Sequence, residues 1–228
     1  MQTVIAPGIV SMPLNKNLAE KTLLFFKQVL ENEWSSAQIY GNKKSPGVVS
    51  EYRKADYINI SKFNELLSKE LDSEIDRQIW WYCIMNQESG LRITAKENFG
   101  GLRYQEGGYY KMHSDSDAGL YRVVSCLIYL NPSEYEGGEI HFKNFNITYK
   151  PDVPSVVLFP SNYAYIHQAM PVKSGIKYAI TNWYNDLEPI DMFNNRNGYA
   201  LFKTLTQKDI VKIDDDFYFK LNKGQIKK

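Results

Sequence analysis

The chain holds three histidines, His113, His141 and His167, and two of them sit in clusters whose residue types suit a metal ion. The first cluster is His113-Ser114-Asp115, within GGYYKMHSDSD. The second is His167, within YIHQAMPVKSGIKYAITNW. Residues two apart on a strand share a face, so His113 and Asp115 can point one way. His167 lies 54 positions further on and joins them if the sheet folds back. Two neutral imidazoles and one carboxylate cover one face of a metal and leave the other open. That set suits non-haem Fe(II) and its oxygen chemistry. Asp117 competes with Asp115 for the carboxylate role from a glycine-flanked turn. His141 follows Gly-Gly-Glu and reads as solvent-facing or as a neighbour of the site. Lys177, ten residues after His167 in KYAITNWY, must either point outward or find an anion, because its strand is otherwise apolar and aromatic. A suitable anion is the distal carboxylate of a cosubstrate that chelates the metal with its other end. Tyr104 offers a hydroxyl to the same group.

These residues need a rigid frame. At 228 residues, 43% of them hydrophobic, the chain has enough for one large core. A net charge of +1 gives no support to nucleic acid or an anionic membrane as partner. Cys83 and Cys126 lie in apolar surroundings and read as buried thiols of a reducing compartment. The N-terminus lacks the pattern of a signal peptide, and no run approaches 18 apolar residues, so a cytoplasmic protein is expected. Residues 1–14 read as an edge strand or packed arm. A helix capped by Asn17 is predicted to about Trp34, then a loop over 35–52, then a helix from Ser61 to about Met85. Both helices are expected to cover a sheet. From Phe99 onward short runs broken by glycine predict many strands, hence a sandwich, barrel or jelly roll, with RVVSCLIYLN at the centre. The domain reading is 1–96 as N-terminal arm and helices, 97–186 as core and 187–228 as a C-terminal extension.

Three segments carry a family resemblance: RYQEGGYYKMHSD, RVVSCLIYLNPSEYEGGEIHF and FPSNYAYIHQAMPVKSGIKYAITNWY. Together, residues 99–186 resemble the catalytic core of the prolyl 4-hydroxylases, in the 2-oxoglutarate/Fe(II)-dependent dioxygenase superfamily. The resemblance implies a mainly β (α+β) fold, a double-stranded β-helix or jelly-roll core with supporting N-terminal helices. It implies that His113, Asp115 and His167 bind Fe(II), and that Lys177 and Tyr104 hold 2-oxoglutarate above a floor lined by Trp183. Arg122 and Tyr110 match residues near the peptide substrate. The implied cofactors are Fe(II), 2-oxoglutarate as cosubstrate, O2 and ascorbate. The implied reaction is procollagen-proline 4-dioxygenase-like: hydroxylation of prolyl residues in a peptide or protein, with succinate and CO2 formed. Hydroxylation of a free amino acid or of another protein side chain is the alternative. Two departures stand out. Ile140 follows Gly-Gly-Glu where close relatives often carry a threonine, and the loop DSDAGLY before Arg122 is short.

Overall fold

A computed structural model of the chain describes residues 2–40, 51–116 and 121–186, with short strand segments at 46–47, 200–201, 210–213, 216–221 and 225–226. In chain order the elements used below are β1 (Thr3–Ala6), β2 (Ile9–Pro13), α1 (Lys16–Gln28), β3 (Ser35–Ser36), β4 (Arg53–Lys54), β5 (Asp56–Asn59), α2 (Ile60–Phe63), α3 (Glu65–Met85), β6 (Ala95–Lys96), β7 (Gly100–Tyr104), β8 (Tyr109–His113), β9 (Arg122–Tyr129), β10 (Tyr135–Gly137), β11 (Ile140–Phe142), β12 (Ile147–Tyr149), β13 (Ser155–Pro160), β14 (His167–Ala169), β15 (Val172–Gly175) and β16 (Lys177–Asn185).

Two antiparallel sheets make the jelly roll. The larger runs β1–β2–β13–β9–β16–β7–β5–β3, with β6 pairing β16 near its end. The smaller runs β12–β11–β14–β8–β4, and β10 pairs β15 as a separate ribbon. β9 lies inside the large sheet, between β13 and β16, as its continuous apolar run predicts. The N-terminal segment does more than support the core. Its hairpin β1–β2 and its strand β5 are members of the large sheet.

Strand alternation divides the large sheet into two faces. Val124, Cys126, Ile128, Val156, Leu158, Ile180 and Tyr184 pack under Leu18 and Phe26 of α1 and Leu67, Leu71, Ile75 and Ile79 of α3. The intervening residues Tyr129, Val157, Phe159 and Ala179 pack on the opposite side, with Ile140 and Phe142 of the small sheet. The site lies between the sheets on that second side.

The helices depart from the predicted boundaries. α1 is capped by Asn15, whose Oδ1 accepts from Leu18 N at 3.1 Å, not by Asn17. It stops at Gln28, where Val29 turns extended. Trp34, expected inside the helix, instead sets its ring edge against Phe26 at 5.8 Å. The second helix is two. Asn64 leaves helical geometry after α2 and its side chain caps α3 by accepting from Leu67 N. The cause is the asparagine side chain, which competes for backbone donors. Cys126 is buried but Cys83 only half so, and both are free thiols. Among the described residues no helix is long and apolar enough to cross a membrane.

Gly101 on β7 permits the helix layer to seat. A Cβ there would stand 2.6 Å from Phe26 Cζ and 2.8 Å from Ile58 Cγ2. Gly101→Ala should therefore overpack the layer and cost about 1–3 kcal/mol. Urea unfolding of the variant beside Leu24→Ala, an exposed α1 position, checks this: only the glycine variant should lose stability on that scale.

Candidate metal and cosubstrate site

β8 and β14 run antiparallel with His113 paired to His167, so both rings leave the small sheet on the cleft side. Their centroids lie 4.3 Å apart. Each Nδ1 faces a backbone carbonyl two residues upstream, Lys111 O at 2.8 Å and Tyr165 O at 3.0 Å. A carbonyl only accepts, so each Nδ1 carries a proton, and in the neutral ring Nε2 keeps its lone pair. The free nitrogens face Asp115, with His113 Nε2 at 3.3 Å from Oδ1 and His167 Nε2 at 3.7 Å from Oδ2. One ligand atom from each residue lies within 4.8 Å of the others. Two imidazole lone pairs and a carboxylate, converging without another cation among them, fit a divalent metal.

Asp115 reaches this position by a route that the strand period does not supply. β8 ends at His113, and Asp115 lies in the bend beyond it. Ser114 Oγ and Ser116 N both donate to Ser161 O, at 3.1 and 2.9 Å, and fold the segment back over the end of β13. Asp117, the competing carboxylate, lies outside the described residues. His141 is not in the group. It faces Thr148 Oγ1 at 2.9 Å on the β11–β12 hairpin.

Burial acts on these groups in opposite directions. It raises the Asp115 carboxyl, but His167, His113 and Arg122 together hold it well below the usual carboxylate range. Burial pushes His167 down to about 4, helped by His113 and opposed by Asp115. His167 is therefore a neutral imidazole at pH 7, as a ligand must be.

The three residues open into a cleft of about 500 Å³, counted with its mouth. Its far wall comes from the inner face of β16, where Lys177, Thr181 and Trp183 line it, and from Tyr104, Tyr129 and Ile140. Lys177 points inward. It is 1% exposed, donates to Gly138 O at 2.7 Å, and lies 4.5 and 5.2 Å over the rings of Tyr129 and Tyr104. Burial lowers its ammonium to about 7, with Glu139 pulling up and Lys150 pushing down. No carboxylate among the described residues lies within 4 Å of it. Tyr104 pairs with Lys177 across β7 and β16.

Tyr110 lines the same cleft and stacks on His113, centroids 3.7 Å apart. Burial lifts its phenol to about 12. Tyr109 and Tyr121, on either side of the first histidine cluster, do not line it. Alternation along β8 turns Tyr109 away to donate to Glu51 O at 3.2 Å, and Tyr121 is exposed. Arg122 also stands behind the wall. Its Nε and Nη2 bind Glu97 at 2.6 and 2.7 Å, and its guanidinium lies 3.7 Å over the Trp183 ring.

Sequence reasoning missed Arg53, Ser125, Tyr129 and Thr181, all of which line the cleft. Period two along β9 and β16 carries the signal for the last three, since they share a face with Leu127 and Lys177. Arg53 gave none, because β4 is two residues long. Its guanidinium lies 4.6 Å over Tyr110.

Residues 99–185 match the family model described as the 2OG-Fe(II) oxygenase superfamily. That stretch of the chain is similar to the superfamily's oxygenase domain. A prolyl hydroxylase from Trichoplax adhaerens, solved with a peptide of the hypoxia inducible factor oxygen degradation domain, is 26% identical. It covers 78% of this chain and 84% of its own, with a TM-score of 0.66. A Pseudomonas putida prolyl-4-hydroxylase shares the fold at 18% identity and TM-score 0.62, over 79% of this chain and 94% of its own. A PKHD-type hydroxylase of Idiomarina loihiensis is 24% identical over 157 residues, 67% of this chain and 68% of its own. Residues 99–185 therefore resemble a 2OG-Fe(II) oxygenase domain, in a fold shared with prolyl hydroxylases, and that family implies Fe(II), 2-oxoglutarate and O2.

The geometry makes a direct prediction. Mn(II) or Fe(II) should raise the melting temperature of the wild type and of His141→Ala alike. It should leave His113→Ala, Asp115→Ala and His167→Ala unmoved. Thermal melts under nitrogen, with and without metal, read this out.

Proposed function

We propose that the enzyme hydroxylates a prolyl residue at the 4-position within a peptide or protein, releasing succinate and CO2. In this reading His113, Asp115 and His167 hold Fe(II), and Lys177 with Tyr104 and Trp183 receives the distal end of 2-oxoglutarate. The observation that carries it is the buried Lys177 ammonium, without a carboxylate partner among the described residues, on the wall of the same cleft as the His-Asp-His group. A buried cation is stable when an anion meets it, and the cosubstrate supplies one. The iron, when bound with 2-oxoglutarate and O2, supplies the oxidising chemistry that inserts one oxygen atom into a C–H bond. Ascorbate belongs to the same proposal, as does the division into segments 1–96, 97–186 and 187–228.

The chain's own residues do the rest. The carbonyls of Lys111 and Tyr165 fix the tautomers of the two histidines. The Tyr129 hydroxyl is buried and has no partner among the described residues, so it is a donor available to a carboxylate beside Lys177. Thr181 adds a hydroxyl to the wall, where Ile140 offers only a hydrocarbon surface. Tyr110 and Arg53 line the metal side of the cleft, where an extended peptide would lie. Arg122 supports Trp183 from behind and takes its place in the proposal as a residue near the substrate, with its fork held by Glu97. The peptide assignment draws on the Trichoplax relative, which was solved with a peptide bound.

Two outcomes are expected. Proline-containing peptides should gain one oxygen on proline with stoichiometric succinate, read by tandem mass spectrometry. Hydroxylation of free amino acids instead would favour the alternative substrate class. Lys177→Met should raise the 2-oxoglutarate requirement about 100-fold or more, since breaking a buried pair costs about 3–5 kcal/mol. The pH dependence follows from the same group. A carboxylate beside Lys177 raises its pKa from about 7, so binding takes up a proton above neutrality. The 2-oxoglutarate affinity of the wild type should therefore fall as pH rises from 7 to 9, and that slope should vanish in Lys177→Met. Calorimetry in buffers of different ionisation enthalpy measures the proton uptake.

A further inference from the structure

Two buried hydroxyls stand behind Asp115. Ser125 of β9 donates to Asp115 Oδ2 at 2.6 Å, and Ser161, one residue past β13, lies 2.8 Å from Ser125 Oγ. The two serines are 2% and 1% exposed. Each hydroxyl has one proton to give. An ionised carboxylate only accepts, so the proton of Ser125 goes to Asp115. Ser161 must then donate to Ser125. The chain Ser161 to Ser125 to Asp115 has one direction, and each bond polarises the next.

Ser161 also holds the Asp115 segment by its backbone. Its carbonyl accepts from Ser114 Oγ and Ser116 N, and its own N–H donates to Val123 O at 3.1 Å. One residue thus fixes the loop that carries Asp115 and, through Ser125, the carboxylate itself. A serine in the apolar wall formed with Leu127 and Tyr129 is costly unless its hydroxyl is bonded. Here the bond goes to the candidate ligand.

We propose that Ser125 and Ser161 are positioning residues for metal capture. They keep Asp115 Oδ2 on a hydroxyl and leave Oδ1, which faces His113 Nε2 at 3.3 Å, free of one. Held this way, the carboxylate offers one oxygen to a metal instead of swinging to chelate with both. That leaves room on the open side for the cosubstrate. The inference rests on reading His113, Asp115 and His167 as the ligands.

The test is Mn(II) affinity by calorimetry on the full chain, with urea stability of the metal-free variants measured beside it. Ser125→Ala should weaken Mn(II) binding about tenfold or more. Ser125→Thr keeps the hydroxyl and should bind within a few-fold of wild type. Ser161→Ala should weaken binding less, and Ser125→Ala/Ser161→Ala should be no worse than Ser125→Ala alone, because Ser161 acts through Ser125. Wild-type affinity in Ser125→Ala while Asp115→Ala binds no metal would overturn the proposal. So would full additivity of the two serine substitutions. Normal binding by Asp115→Ala would overturn the ligand assignment beneath it.

Discussion

The structure depends on a buried negative charge. Asp115 is 8% exposed, and taking a carboxylate out of water costs several kcal/mol unless positive or donor groups meet it. The groups that meet it are the Ser125 hydroxyl and, further off, Arg122, and two imidazoles stand beside it. These four residues come from three strands. His113 ends β8, His167 begins β14, and Ser125 and Arg122 belong to β9. The charge is tolerated only when both sheets are formed and in register. The same condition leaves two Nε2 lone pairs facing one carboxylate, an arrangement that a divalent cation completes.

The second constraint is the division of labour across the large sheet. One face of β9, β13 and β16 is covered by α1 and α3, and most of its side chains are apolar. The other face lines the cleft, and there the same strands carry Ser125, Tyr129, Lys177 and Thr181. Period-two alternation lets one strand serve both purposes. The apolar layer makes β16 rigid, and rigidity is what holds a buried ammonium at a fixed place. The Lys177 side chain is kept there by the Gly138 carbonyl and by the ring faces of Tyr129 and Tyr104. Charge on the metal side and charge on the cosubstrate side are thus anchored on two sheets, with the cleft between.

Much of this was legible in the sequence because it follows from local pattern. The central place of β9 comes from its continuous apolar run, whereas the pattern leaves Lys177 either outward or against an anion, and it is the fold that turns it inward. What was not legible depends on single side chains or on loops. Asn15 and Asn64 set the helix boundaries through hydrogen bonds that a periodicity cannot reveal. Asp115 lies beyond its strand, so its orientation comes from the tether to Ser161 and not from the pleat. Arg122 reads in the sequence as a residue near the substrate, yet Glu97, 25 residues earlier, occupies its guanidinium. Arg53 sits on a strand too short to carry a period, and only its pairing with β8 brings it over Tyr110.

The central claim is that one cleft holds a metal on His113, Asp115 and His167 and an anion on Lys177. Crystals grown under nitrogen with Fe(II) and 2-oxoglutarate, measured at the iron absorption edge, test both halves at once. The account predicts one anomalous peak, bonded to Nε2 of each histidine and to an Asp115 oxygen, with the distal carboxylate of 2-oxoglutarate against Lys177 Nζ. A peak on other residues, or a cosubstrate whose carboxylate lies away from Lys177, would contradict it.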